Sequence, residues 1–407
     1  CSRDWSSDVC SSDLGALPVT VSLDFAAWLV TRLWVIFTGL GVLPYPAPEG
    51  LFADVRLYAW WAGNIADGHF PINDPMWQYP PLAAALFALS YALAPGIAGF
   101  VTLALVADYA TFAALRRAGR RAGTTLPVWI WILTAVAMGP IVLGRFDVFP
   151  TALVVAALLA PSGAGRGAWL AVGALLKVWP GLGLLAVARR DLPRTLAGFA
   201  ATGTALSLAM FTWWPGAFAF ISEQRSRGLQ VESLGALPYM MWGAGPGATA
   251  TAYQFGALEV VAPHTGLVSA VVTAAMVAVV VIVVRWRWRG QLDEVPVPEM
   301  LLALVLAAML TSRVLSPQYT QWVLGLLAVC ALRPAPWLRR VAVLLLVSAV
   351  CGQAVYPWLY GGYLQGAAGA TAVQTVRLIA LAWAAVECWR PIIAAGRRPV
   401  PSHPALP

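Results

Sequence analysis

Residues 266–284 read GLVSAVVTAAMVAVVVIVV, and the next five, 285–289, read RWRWR. A charge-free stretch of this length suits a bilayer-spanning helix, which takes about 20 apolar residues. The basic run behind it marks the cytoplasmic side, where Lys and Arg collect. The same alternation recurs outward from this point. Apolar runs occupy 24–43, 82–93, 97–115, 126–143, 146–160, 169–188 and 196–213 before it, and 300–311, 322–332, 341–355 and 373–389 after it. Of 407 residues, 60% are hydrophobic and 11% charged, against roughly a quarter charged in an ordinary soluble domain. A soluble enzyme is excluded. The expected fold is all-α, a polytopic transmembrane helix bundle of about ten to twelve spans. The 36 Gly and 30 Pro fit a membrane bundle, where neighbouring helices satisfy the freed backbone groups.

The net charge of +8 is carried by short clusters between apolar runs. Such placement sets orientation, so no nucleic-acid partner is expected. With 189–190, 285–289, 333–340 and 390–398 inside, the loops 215–264, 313–318 and 356–365 fall outside. The N-terminal half closes less simply. The cluster 116–121 has the wrong parity for an outer first loop unless 82–93 is a half-helix or one of the span boundaries is misplaced. The five Cys are scattered and no CxxC or HExxH pattern occurs, so no metal site is read.

Residues 1–14 read as translated adapter sequence and are set aside. Residues 15–395 form one transmembrane domain with two long extracytoplasmic loops, 44–79 and 215–264, and 396–407 form a cytoplasmic tail. In the first loop, 55–66 suits an interfacial helix, and Asp54, Tyr58, Trp61 and Ile65 share one of its faces. Asp54 opens that helix, where the dipole favours an anion. Lys177 is the only lysine and interrupts an apolar run. A lysine there costs at least a few kcal/mol unless it snorkels, and marks a functional site by default. Arg32, Asp108, Arg377 and Glu387 also interrupt apolar runs and are given no chemistry.

Asp54 with Tyr58, then Gly68 and Pro71, then Tyr79-Pro80-Pro81-Leu82 resemble elements of the multi-span GT-C glycosyltransferases, and specifically of glycosyltransferase family 87. Gly144-Arg145-Phe146-Asp147 stands where the family has Gly-Gln-x-Asn/Asp. Lys177-Val178-Trp179-Pro180 looks like its Lys-x-x-Pro. Residues 227–233 (RGLQVES) and Ser316-Pro317-Gln318-Tyr319 are also similar to family elements. Arg145 departs from the common Gln.

The resemblance implies a mannosyltransferase of the bacterial plasma membrane, working on its outer side. Its donor would be polyprenyl-phosphate-mannose and its acceptor a glycolipid or lipoglycan. Asp54 would be the catalytic base, with Asp67 and Asp74 as fallbacks. Lys177, Arg227 and Arg313 would meet the phosphate. Gln230, Glu232, Gln318, Tyr58, Tyr79 and His264 would line the substrates. No cofactor is expected beyond this lipid-linked donor, which is itself a substrate; an obligatory metal is not expected, and dependence on a divalent cation is left open. The rival reading is a transporter or flippase of a lipid-linked sugar, which predicts pseudo-symmetric halves. No paired interrupted helices are evident in the two halves.

Overall fold

The computed structural model describes residues 22–46, 52–72, 74–221, 227–242, 250–333 and 335–397. The expected adapter-like segment and the end of the tail lie outside these residues. In chain order the first helices are α1 (Leu23–Gly39), α2 (Ala53–Ala66), α3 (Leu82–Leu93), α4 (Ile97–Ala122), α5 (Leu126–Met138), α6 (Ile141–Gly144), α7 (Val148–Leu159) and α8 (Gly163–Leu176). They are followed by α9 (Gly183–Ala186), α10 (Leu192–Trp213), α11 (Leu237–Trp242), α12 (Thr265–Trp288), α13 (Val297–Leu310), α14 (Thr320–Cys330), α15 (Pro336–Gln353), α16 (Tyr360–Leu364) and α17 (Ala368–Gly396).

The chain is an all-α polytopic membrane protein. Among the described residues, five helical stretches are long and apolar enough to cross a bilayer unaided: α4, α10, α12, Pro336–Leu364 and α17. The other apolar runs fold as shorter pieces, and the reason is where they break. Gly139-Pro140 ends α5, Arg145 ends α6, Lys177 ends α8, and residues 311–316 separate α13 from the turn before α14. Non-helical backbone at membrane depth is tolerated where it is buried in protein or lines a polar cavity. These breaks meet in one place, since Asp147 contacts both Lys177 and Trp322, and Gln321 donates to the Val142 carbonyl.

Helices α13 and α14 form the axis of the bundle, with all of α14 and most of α13 buried. In α12 only Val283 and Arg287 are buried. A helix that is apolar all round and this exposed faces lipid. Helices α8 and α10 run parallel at very close range: a Cβ on Gly167 would overlap the Thr195 carbonyl, and one on Gly198 would overlap that of Ala164. Small residues permit such backbone contact. The chain returns between them, with Pro180 against Gly173 and Gly183 against Leu170.

The basic clusters gather at one end. Arg189 Nη1 donates to the Trp288 carbonyl and Arg340 lies 3.9 Å from Glu387. The N-terminal half joins the same scheme through Arg116, at the end of α4, which pairs at 2.6 Å with Asp24 at the start of α1. Helix α1 therefore leaves the basic end and α4 returns to it. Helix α3 packs on α2 at the opposite end through Phe87, stacked 4.6 Å from Tyr58. At 12 residues it is about 18 Å long, too short for a core of about 30 Å. The half-helix solves the parity of the first loop.

One element among the described residues is not helical. Ala250–Gln254 (β1) and Ala257–Val261 (β2) pair as an antiparallel hairpin inside the second long loop. Its two turn residues, Phe255 and Gly256, both have positive φ, as a tight primed turn requires.

Candidate functional site

Asp54 sits in the first turn of α2. Its Oδ2 lies 3.2 Å from Arg145 Nε, with 37% of the Asp54 side chain exposed but only 6% of the Arg145 side chain. The buried guanidinium thus fixes one edge of a carboxylate whose remainder stays open. Arg145 is placed by the break after α6, in extended geometry, and its Nη2 donates to the Tyr356 hydroxyl at 3.2 Å. Tyr356 can turn to it because Pro357 interrupts the helix and Tyr356 itself leaves helical φ/ψ.

Two residues further on, Asp147 makes the second ion pair. Its Oδ1 accepts from Lys177 Nζ at 2.6 Å and from Trp322 Nε1 at 2.6 Å. The ammonium also lies 4.7 Å from the Tyr319 ring centroid and 5.0 Å from that of Trp322. Lys177 therefore stands at the C-cap of a short helix, whose dipole favours a cation. A carboxylate and two aromatic faces offset its burial. The rings continue as a stack, Tyr319 on Trp322 at 4.0 Å and Trp322 on Trp179 at 5.2 Å.

Between the two pairs stands Tyr79. Its hydroxyl is 2.8 Å from that of Tyr58, and its ring packs on Phe146. Burial, then the charge of Asp54, pushes the Tyr79 hydroxyl well above the usual phenol range. Tyr58 is 2% exposed inside a cluster with Trp61, Phe87 and Phe100. It supports Tyr79 from behind and does not face open space. Asp74 is engaged in holding the loop, accepting from Trp61 Nε1 at 2.7 Å and from the Met76 N–H at 2.8 Å. Asp67 is exposed at the far end of α2.

The second long loop supplies a roof. Gln230 clamps it to the segment after α13: its N–H donates to the Arg313 carbonyl, its Oε1 accepts from the Leu315 N–H, and its Nε2 donates to Ser316 Oγ. Arg313 Nη1 donates to the Arg227 carbonyl at 2.8 Å, while Arg227 Nη2 donates to the Phe255 carbonyl in the hairpin turn. Glu259, on β2, lies 4.0 Å from Arg227 and accepts from the Gly228 N–H. Burial pushes its carboxyl up, opposed by that hydrogen bond and by Arg227 and Arg313. The hairpin reaches the first loop, since a Cβ on Gly256 would touch Met76. Tyr253 is exposed on β1; partial burial and then the charge of Asp54 raise its hydroxyl pKa.

Glu232 is 3.0 Å from Arg377, both essentially buried, and its carbonyl accepts from Gln374 Nε2. The pair anchors the loop to α17; burial raises the Glu232 carboxyl and Arg377 opposes it. Gln318 is half-buried in the Pro317–Tyr319 turn. His264 is exposed at the N-cap of α12, with φ 65° and no capping side-chain bond. Of the other charges inside apolar runs, Arg32 pairs with Asp108 at 2.9 Å and Glu387 with Arg390 at 2.6 Å. Among the described residues no three His, Cys, Asp or Glu side chains are grouped to hold a metal ion.

The structure brings Asp54, Tyr79 and Lys177 around one turn, 144–147, and sets Arg227, Gln230, Arg313 and Gln318 in the adjoining roof. It adds Arg145, Asp147, Tyr319, Trp322 and Tyr356, which sequence reasoning left without roles. For Arg145 and Asp147 a signal was present: two opposite charges two residues apart in an otherwise apolar stretch, just after Gly139-Pro140.

Residues 77–235 match the family model of glycosyltransferase family 87. The match includes Tyr79, Arg145, Asp147, Lys177 and the start of the second loop, while Asp54 and Arg313 lie outside it. No curated protein matches the chain.

Proposed function

We propose that the chain is a membrane glycosyltransferase of family 87, whose model its residues 77–235 match, and that it transfers mannose from polyprenyl-phosphate-mannose to a glycolipid or lipoglycan acceptor. The observation that carries this reading is the turn 144–147, which holds a half-open carboxylate, Asp54, on one side and a cation, Lys177, on the other. Asp54 takes the proton from the acceptor hydroxyl as the sugar–phosphate bond breaks, and transfer inverts the anomeric centre.

Lys177 stabilises the charge that develops on the leaving phosphate. Asp147 uses one of its three ammonium donors, which leaves others for an incoming oxygen. Arg313 and Arg227, in the roof, add positive field from the second loop. The half-buried Tyr319 ring, backed by Trp322, offers an apolar face beside Lys177 on which a sugar can lie. The basic clusters at the opposite end support, by the positive-inside rule, a site working on the extracytoplasmic side of a bacterial plasma membrane.

The test is reconstitution of the purified protein in vesicles with radiolabelled polyprenyl-phosphate-mannose and a glycolipid acceptor. Label appearing in the extended acceptor supports the reading. Label that only changes leaflet, with no new glycosidic bond, would overturn it in favour of a carrier.

A further inference from the structure

At the basic end, remote from the site, an open cavity of 300 Å³ runs along one face of α4, with Tyr109 and Phe112 at one end and Arg116, Arg117, Arg120 and Arg121 at the other. Spacings of three and four keep these residues in one stripe, about 18 Å from first to last. Phe25 and Trp28 of α1 pack against Tyr109 and Phe112 and complete an aromatic wall. The stripe thus changes from apolar to cationic along the axis of a membrane-crossing helix, as a phospholipid changes from acyl chain to headgroup.

Arg116 is held by Asp24 and Ser22. Among the described residues no carboxylate or carbonyl binds the guanidinium of Arg117, Arg120 or Arg121, so four cations face one anion. Each of the other basic clusters has one arginine engaged: Arg189 with Asp293, Arg287 with the carbonyls of Ala186 and Val187, and Arg340 and Arg390 with Glu387. Orientation alone needs charge near the span end, with neither a cavity nor an aromatic wall leading into it.

We propose that this face binds an anionic phospholipid of the adjacent leaflet. Its phosphate lies among Arg117, Arg120 and Arg121, and one acyl chain runs along Tyr109 and Phe112. Juxtamembrane arginines and basic pockets at span ends bind anionic headgroups in this manner.

The full chain, purified in detergent, is offered equimolar dioleoyl phosphatidylglycerol and dioleoyl phosphatidylcholine, and bound lipid is counted by native mass spectrometry. The expected result is about a tenfold preference for phosphatidylglycerol. It falls to near parity in R117Q/R120Q/R121Q and persists in R117K/R120K/R121K. A control that removes three exposed arginines at the same end, R333Q/R339Q/R397Q, keeps the preference. Should the triple Gln variant fail to fold, R120Q and R121Q singly each reduce it. No preference in the wild type overturns the proposal, as does equal loss in the control, which would mean bulk charge. Displacement of the lipid by millimolar inorganic phosphate also overturns it, because the site would then be one for a free ion.

Discussion

Arg145 Nε and Asp54 Oδ2 are 3.2 Å apart across the mouth of the site, the guanidinium buried and the carboxylate open. The resemblance would put Gln at 145, whose amide could donate hydrogen bonds but carries no charge. On the proposed function, Arg145 is a positioning residue for Asp54 as the base. Arg145→Gln is expected to lower kcat about tenfold with little change in donor KM, and Arg145→Ala to lower it further, about a hundredfold. Initial rates at varied donor concentration in vesicles check this; a fall confined to KM would assign Arg145 to donor binding.

Lys177 and Asp147 form a largely enclosed pair. Removing one partner leaves the other buried and uncompensated, so Lys177→Met is expected to destabilise the protein by about 3 kcal/mol. Lys177→Met combined with Asp147→Leu should regain much of that stability and still be inactive. Thermal unfolding in detergent, run beside the transfer assay, separates the structural part of the pair from the chemical part.

The same reasoning applies to Glu232 and Arg377, both at most 2% exposed. Glu232→Ala is expected to cost about 3 to 5 kcal/mol and to release the second loop from α17. Limited proteolysis reads this as new cleavage between 227 and 242, while the spans stay protected.

His264, a substrate contact by resemblance, opens α12 in a left-handed conformation. It is exposed at the N-cap of α12 with φ 65°. A left-handed conformation costs a non-glycine residue about 1 kcal/mol, so His264→Gly is expected to raise stability slightly and leave transfer within about twofold. A loss of transfer beyond tenfold would restore His264 to the substrate contacts.

At Gly167 the Thr195 carbonyl occupies the space a Cβ needs. Gly167→Ala is expected to push α8 from α10 and destabilise by about 1 to 3 kcal/mol. Gly203 is a matched control, because a Cβ there meets only Ala171 at 3.8 Å.

How much could be read beforehand follows from which interactions are local. Apolar runs are local, so the all-helical membrane class, a first-loop helix read at 55–66 and found at 53–66, and a long second loop are all visible as segments. Pairing is not local. Arg116 and Asp24 are 92 residues apart, and only their contact shows that α3 fails to cross and that the first loop faces away from the basic end. Lys177 was visible as an anomaly of composition, but its partner Asp147 lies 30 residues away. The hairpin went unread because 250–261 was taken as plain loop, although Phe255-Gly256 stands between two β-prone runs. Arg145 was discounted for departing from a motif, whereas its charge is what meets Asp54.

The central claim is that Asp54 is the base of a sugar-transfer reaction. Asp54→Asn keeps the side chain's size and its hydrogen-bonding reach to Arg145 but removes the proton acceptor. The direct measurement is transfer of radiolabelled mannose by this variant in vesicles, with donor binding and thermal stability measured on the same preparation. The account predicts a fall in kcat of at least about a thousandfold, with donor binding and folding retained. A folded Asp54→Asn protein that transfers mannose at the wild-type rate would contradict it.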